Sequence, residues 1–168
     1  MIIGNKTILR PWSVDDLPIL QSLRNDFRLQ QQLMALPRPN SIEQVKEWLA
    51  NRTKSPDSVF LVVATKQSDQ AIGYLQVVQI DSFNGSGRFG ICISPEEQGK
   101  GYGSEAITLV ESYLRDVIRL RKLVLEVLAN NRARHLYAKL GFTEVGCLRE
   151  HFYIDNKLLD VAIMEKFI

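Results

Sequence analysis

The residues that speak most directly of chemistry lie between Ile91 and Ala106. A short β-branched run, Ile91-Cys92-Ile93, ends at Pro95, and Gln98-Gly99-Lys100-Gly101-Tyr102-Gly103-Ser104 follows before an amphipathic stretch. Glycines at alternate positions let the backbone bend tightly and leave its N–H groups uncovered. A helix starting there adds unpaired N–H donors and a partial positive charge, so the loop suits an anion, a pyrophosphate above all. Lys100 adds a full charge. The spacing matches neither of two common phosphate loops. No Gly-x-x-x-x-Gly-Lys-Ser/Thr string occurs, and Gly-x-Gly-x-Gly past mid-chain is not the Gly-x-Gly-x-x-Gly that opens a dinucleotide-binding unit.

A second pattern stands downstream, Asn130-x-x-Ala133-x-x-Leu136-Tyr137-x-Lys139-x-Gly141-Phe142. Taken with Gln98-x-x-Gly101-x-Gly103, it resembles the two signatures of the GNAT superfamily of acyl-CoA-dependent N-acyltransferases. The likeness covers the chain well from about Val59 onward. Leu9-Arg10-Pro11 and Gly146-Cys147-Leu148-Arg149…Asp160 resemble the group that acetylates ribosomal-protein N-termini, polyamines and amino-sugars. The resemblance implies an α/β fold, with a mostly antiparallel sheet of six to seven strands splayed at its centre and flanked by about four helices. It implies acetyl-CoA as cosubstrate, its pyrophosphate on the amides from Gln98 to Ser104. Main-chain groups of Ile91, Cys92 and Ile93 would meet the pantetheine and the acetyl carbonyl, Asn130 would touch the cofactor, and Tyr137 would be the general acid.

Moving an acetyl group from a thioester to an amine needs a neutral amine, a place for the oxyanion and a proton for the departing thiolate. A phenol with pKa near ~10 is protonated at neutral pH and can serve a thiolate of pKa about 8.5. Tyr137 fits that role, or packs its helix as a core tyrosine. Glu126 is the sole charge in Leu-Val-Leu-Glu-Val-Leu, and a carboxylate among apolar neighbours is costly unless used or paired. It is either the base, which the resemblance to the ribosomal-protein N-terminal acetyltransferases implies acts through water, or the partner of a neighbouring Arg or Lys. Counted back from Tyr137, its strand is one residue shorter than in the resembling enzymes, which leaves the face it occupies open. Cys92 reads as a small strand residue, and His135 and His151 are too far apart for a metal site. Arg132 and Arg134 suit a ribose phosphate or a solvated helix face.

The resemblance places the amine acceptor against the segments Arg24 to Pro39 and His151 to Leu159. Arg24, Asn25, Arg28, Gln30, Gln31 and Gln32 make the first basic and amide-rich, which suits an amino-sugar nucleotide or an acidic peptide N-terminus better than a polyamine. Two readings stand beside an enzyme: a non-catalytic acyl-CoA sensor, and a domain binding NAD or ATP through the glycine loop.

The elements that must position these groups follow from pattern. The 168 residues fit one domain, residues 1–168, and a net charge of +2 gives no argument for nucleic acid. Two cysteines make no disulfide framework, and neither a signal-peptide core nor a membrane-length apolar run is present, so a cytoplasmic protein is expected. Thr7–Arg10 predicts a strand. Asp15 or Asp16 opens a helix with Leu20, Leu23 and Phe27 on one face, and Ser41-x-x-Gln44 is a capping box before Val45, Trp48 and Leu49. Residues 59–65, 71–80 and 88–93 predict three strands, with hairpin loops at 68–69 and 84–87. A helix over 103–119 buries Ala106, Val110, Tyr113, Leu114 and Val117. Leu123 to Leu128 reads as a central strand, a helix ending at Gly141 follows, and two strands close the sheet. An exposed last strand offers an edge for a homodimer.

Overall fold

The computed structural model describes residues Met1–Ile168. One sheet of eight strands runs through the chain in the order β1-β2-β3-β4-β5-β6-β8-β7. The strands are β1 (Ile2–Ile3), β2 (Thr7–Arg10), β3 (Val59–Thr65), β4 (Ala71–Asp81), β5 (Ser86–Ile93), β6 (Lys122–Leu128), β7 (Thr143–Ile154) and β8 (Lys157–Phe167). Neighbours are antiparallel except β5 and β6, which run parallel and pair only over Ser86–Arg88 with Lys122–Val124. Beyond Arg88 the two strands part. The sheet is therefore splayed at its centre, as expected, with the two-residue β1 and a longer strand set extending it to eight.

Helices α1 (Leu17–Asn25), α2 (Phe27–Gln32) and α3 (Ile42–Lys54) cover one face of the sheet, and α4 (Tyr102–Asp116) and α5 (Ala133–Lys139) the other. Strand alternation divides the core between them. Phe89 and Leu125 join α4 and α5, whereas Phe60, Tyr74 and Cys92 join α1 to α3. Trp48, Phe60 and Tyr74 meet with ring centroids 5.3 Å apart, which anchors α3 to β3 and β4.

Local chemistry sets the boundaries. Ser41 Oγ accepts from Gln44 N while Gln44 Oε1 accepts from Ser41 N at 2.8 Å, completing the capping box before α3. Arg10 forks onto Asp16 at 2.7 and 2.9 Å and onto Asp69 at 2.7 Å, tying β2 to the entry of α1 and to the β3–β4 turn. Asp16 is spent on that clamp rather than on capping α1 by its side chain. The β7–β8 hairpin turns on Asp155 and Asn156, both at positive φ, the geometry its right-handed twist favours.

Three expectations change. The region beginning at Leu17 is two helices, because the chain turns at Asp26, whose carboxylate caps α2; Phe27 is consequently 49% exposed. Helix α4 ends at Asp116 and Arg119 turns left-handed, which leaves Val117 63% exposed instead of on the buried stripe. The last strand, β8, lies between β6 and β7, so the free edge on that side belongs to β7.

Candidate active site

The split between β5 and β6 opens a cleft of about 980 Å³. Its walls bring together most of the residues singled out by motif: Ile91, Cys92, Ile93, Gln98, Gly99, Gly101, Gly103, Ser104, Glu126 and Tyr137. At one end lies the glycine loop, on the side of α4 and α5; at the other lie α1 to α3. A ligand threading the split reaches both faces of the sheet.

The loop is built by three devices. Pro95 to Glu97 form a 3-10 turn, and Gly99 and Gly101 then take φ of +77° and +86°, a region that side chains rarely adopt. Gly101 is the N-cap of α4, and the carbonyl there accepts from Glu105 N at 3.1 Å and from Ser104 Oγ at 2.8 Å. Gly103 is already helical; a Cβ there would meet Ile93 at 3.6 Å, an ordinary contact. The third glycine thus keeps space open rather than permitting a turn.

Charge around the loop comes partly from elsewhere. Lys100 pairs with Glu97 at 3.0 Å, and Tyr102 packs against the core; neither lines the cleft. Lys6 is the cation that sequence reasoning missed. Its Nζ donates to the Lys100 carbonyl at 3.0 Å, and Glu105 holds its segment by accepting from Asn5 N at 2.8 Å and Lys6 N at 3.1 Å. Ninety-four residues separate Lys6 from Lys100, so no local pattern signals it. Arg132 lines the cleft from the start of α5, while Arg134 is paired with Glu144 at 2.6 Å.

Main-chain groups along β5 alternate in direction. Ser94 N donates to Ile72 O at 2.8 Å on the β4 side, and Gln98 Nε2 donates to Ile93 O at 2.9 Å from the split. Ile91 and Ile93 therefore turn their N–H and C=O into the split. Those of Cys92 turn to β4, close enough that a Cβ on Gly73 would lie 2.2 Å from its carbonyl oxygen. This corrects the expectation that all three residues offer main-chain groups to a ligand; Cys92 offers its side-chain surface.

Tyr137 is 8% exposed and its ring meets Phe142 edge-on at 5.7 Å. Burial first, and the nearby Cys92 second, push its phenol up to about 12, so it is protonated at neutral pH. Burial also pushes the Cys92 thiol up to about 12, although the Tyr74 hydroxyl favours the thiolate. Glu126 is half-buried on the face of β6 opposite Leu125 and Val127, toward α1 to α3, and its carboxylate accepts from Arg88 of β5. The structure thus gives Glu126 both an ion-pair partner and a place on the cleft wall. Asn130 is exposed in the turn after β6 and stays off the cleft; Asn131 lines it instead, its Oδ1 accepting from Ala133 N at 2.9 Å to open α5.

Of the two segments expected to meet an acceptor, the first supplies Arg24, Gln30 and Gln32 to the cleft, whereas Asn25, Arg28 and Gln31 stay outside it. The second, 151–159, takes no part in the lining, because β7 and its hairpin extend beyond the sheet's split. Arg52 of α3 and Gln76 and Arg88 of the sheet replace it.

Comparison with known proteins agrees with this geometry. The family model for the acetyltransferase (GNAT) domain matches residues 6–143. Spermidine N(1)-acetyltransferase of Vibrio cholerae is 29% identical over 163 residues, 96% of this chain and 93% of that protein. The Escherichia coli K12 protein of the same name is 30% identical over 150 residues, 89% of this chain and 79% of its own. A crystal structure of the V. cholerae spermidine N-acetyltransferase, in complex with CoA and spermine, superposes with a TM-score of 0.90 at 28% identity, covering 98% of this chain and 96% of that one. These relatives are named for acetylating spermidine, not an amino-sugar nucleotide or a protein N-terminus. No helix is long and apolar enough to cross a membrane. A glycine loop at a helix start, a sheet split beside it and a buried tyrosine at the split place the chain in the GNAT family as an acetyl-CoA-dependent N-acetyltransferase.

Proposed function

We propose that this single-domain enzyme carries acetyl from acetyl-CoA directly to the primary amine of a small molecule, inside the split between β5 and β6. The observation that carries the reading is the parting of those strands after Arg88, which leaves the Ile91 and Ile93 main-chain groups facing a cleft that also holds Tyr137. The amides from Gln98 to Ser104 bind the pyrophosphate at the α4 N-terminus, with Lys6 and Arg132 adding charge. The pantetheine runs along β5 and replaces the rungs that β6 would have supplied. The Ile91 and Ile93 N–H groups hold the thioester carbonyl as it becomes an oxyanion.

The acceptor amine arrives from the α1-to-α3 side, where Glu126 receives its proton through water, oriented by Arg88. Tyr137 donates to the departing sulfur. No covalent acyl-enzyme is needed, since the thioester is already activated, and Cys92 is held as a thiol by burial. The spermidine N-acetyltransferase relatives make polyamines the first acceptors to assay. Both cysteines are free, which suits a reducing compartment such as the cytoplasm.

The test is thiol release from acetyl-CoA in the presence of spermidine, spermine and other small amines, beside calorimetric titration of acetyl-CoA. Amine-dependent thiol release supports the reading. Tight acetyl-CoA binding with no release against any amine would identify the non-catalytic sensor instead.

A further inference from the structure

The acceptor end of the cleft carries a charge pattern that polyamine chemistry does not use. Arg24 from α1 and Arg52 from α3 line both the cleft and an adjoining outer cavity of about 730 Å³. Neither forms a salt bridge. The Arg24 guanidinium stacks over Trp48 at 4.7 Å, which fixes its plane, and its Nε is buried without a hydrogen-bond partner. Across the cleft on β4, Gln76 Oε1 is likewise buried and unpartnered. Buried polar atoms of native proteins are almost always paired, so a donor and an acceptor left open in one cleft mark where a ligand completes them.

The carboxylates nearby are mostly engaged. Within the cleft, Glu126 is held by Arg88 and Glu97 by Lys100. Asp26, near Arg24, caps α2 by accepting from Leu29 N at 3.0 Å. Glu47 and Asp57 line only the outer cavity, and Asp57 accepts from Ser55. Within the cleft itself Arg24 and Arg52 form no ion pair at the acceptor end, Glu47 and Asp57 being confined to the outer cavity.

We infer that Arg24 and Arg52 form an anion subsite, so that the preferred acceptor is a primary amine that also bears a carboxylate or phosphate, its amine end directed by Gln76. The inference rests on the acetyl-transfer reading above and narrows its acceptor. Guanidinium is the group suited to planar, forked recognition of carboxylate and phosphate. The additional ammonium groups of a polyamine would face two unpaired cations here.

A matched pair of acceptors isolates the charge: 4-aminobutanoate and 1,4-diaminobutane differ only in the far group, with 3-aminopropyl phosphate as the phosphate arm and spermidine as the polyamine arm. Expected is a kcat/KM for at least one anionic amine tenfold or more above both polyamines. Arg24→Gln should raise the anionic acceptor's KM at least tenfold with kcat and acetyl-CoA affinity nearly unchanged, and Arg24→Lys should recover part of the loss. Direct calorimetric titration of 3-aminopropyl phosphate reads the subsite without turnover. Polyamines acetylated in preference, with Arg24→Gln neutral or beneficial to them, would overturn the anion subsite and leave acetyl transfer intact. Arg24-dependent anion binding without thiol release from any amine would sustain the subsite and overturn acetyl transfer. Absence of both binding and release overturns both.

Discussion

Replacing Tyr137 by phenylalanine isolates the proton-donor step. The substitution removes one oxygen from a residue that is 8% exposed, and its ring contact with Phe142 at 5.7 Å survives. Burial and Cys92 shift the phenol, with no hydrogen bond among the causes, so losing the hydroxyl leaves no partner stranded and stability should change by less than about 1 kcal/mol. A free thiolate of pKa about 8.5 would be too weak a base for a phenol near 12, the gap costing ~4.8 kcal/mol at ~1.36 kcal/mol per unit. A thiolate leaving into a water-poor cleft is desolvated as well, which raises its basicity and narrows that gap. General-acid catalysis by such a donor contributes about 10²–10⁴ in kcat. The assay is thiol release under saturating amine, with the KM for acetyl-CoA followed alongside; kcat should fall while that KM holds, the pattern of an interaction made in the transition state. A phenylalanine variant that keeps wild-type kcat with chemistry rate-limiting, or one that unfolds, refutes the reasoning.

Gly101→Val should weaken acetyl-CoA binding at least tenfold by calorimetry, because the position sits at φ +86° with Lys6 Nζ 3.2 Å from any Cβ, whereas Gly103→Ala should change affinity only slightly. Glu126→Gln should lower kcat/KM about 10²-fold at neutral pH and regain activity as the amine deprotonates unaided at higher pH; an equal loss at every pH assigns Glu126 to the Arg88 ion pair alone. Burial would raise the Asp16 carboxyl, but hydrogen bonds from Arg10 and Ser13 outweigh it and hold the group below its ordinary range. A depressed folded-state pKa contributes stability that is complete above about 4 and lost as pH falls through the folded value, so the melting temperature should drop on acidification below about pH 4. Asp16→Asn should remove that component and cost about 2 kcal/mol, or roughly 4–8 °C of melting temperature, by leaving Asp69 as the sole ion-pair partner of Arg10.

What the sequence discloses depends on how local the cause is. Thr7–Arg10, Val59–Thr65 and the Ser41 capping box were legible to the residue, because alternation and a three-residue cap are properties of adjacent side chains. The glycine loop was legible for the same reason, while Tyr137 was singled out through the Asn130-to-Phe142 signature that the chain shares with the resembling family. Phe27 and Val117 keep helical spacing with their neighbours, yet the turn at Asp26 and the left-handed Arg119 take them off the buried face. The face of Glu126 is set by which helices cover β6, a tertiary fact. Arg52 and Gln76 reach the cleft, and Lys6 the glycine loop, from segments far from either motif, so their arrival there depended on the folded sheet.

The short parallel pairing of β5 with β6 also bears on how the protein unfolds. Only Ser86–Arg88 join the five-strand portion to the β6-β8-β7 portion by sheet hydrogen bonds. Without ligand, the core shared across α4 holds this seam more than sheet hydrogen bonds do, and amide protons of β6 and β8 should exchange faster than those of β3 and β4. A cofactor lying in the split spans the seam and welds the halves into one cooperative unit, adding about 2.7 kcal/mol at a hundredfold excess over its dissociation constant. The gap that makes room for the chemistry thereby ties the protein's stability to the ligand that fills it.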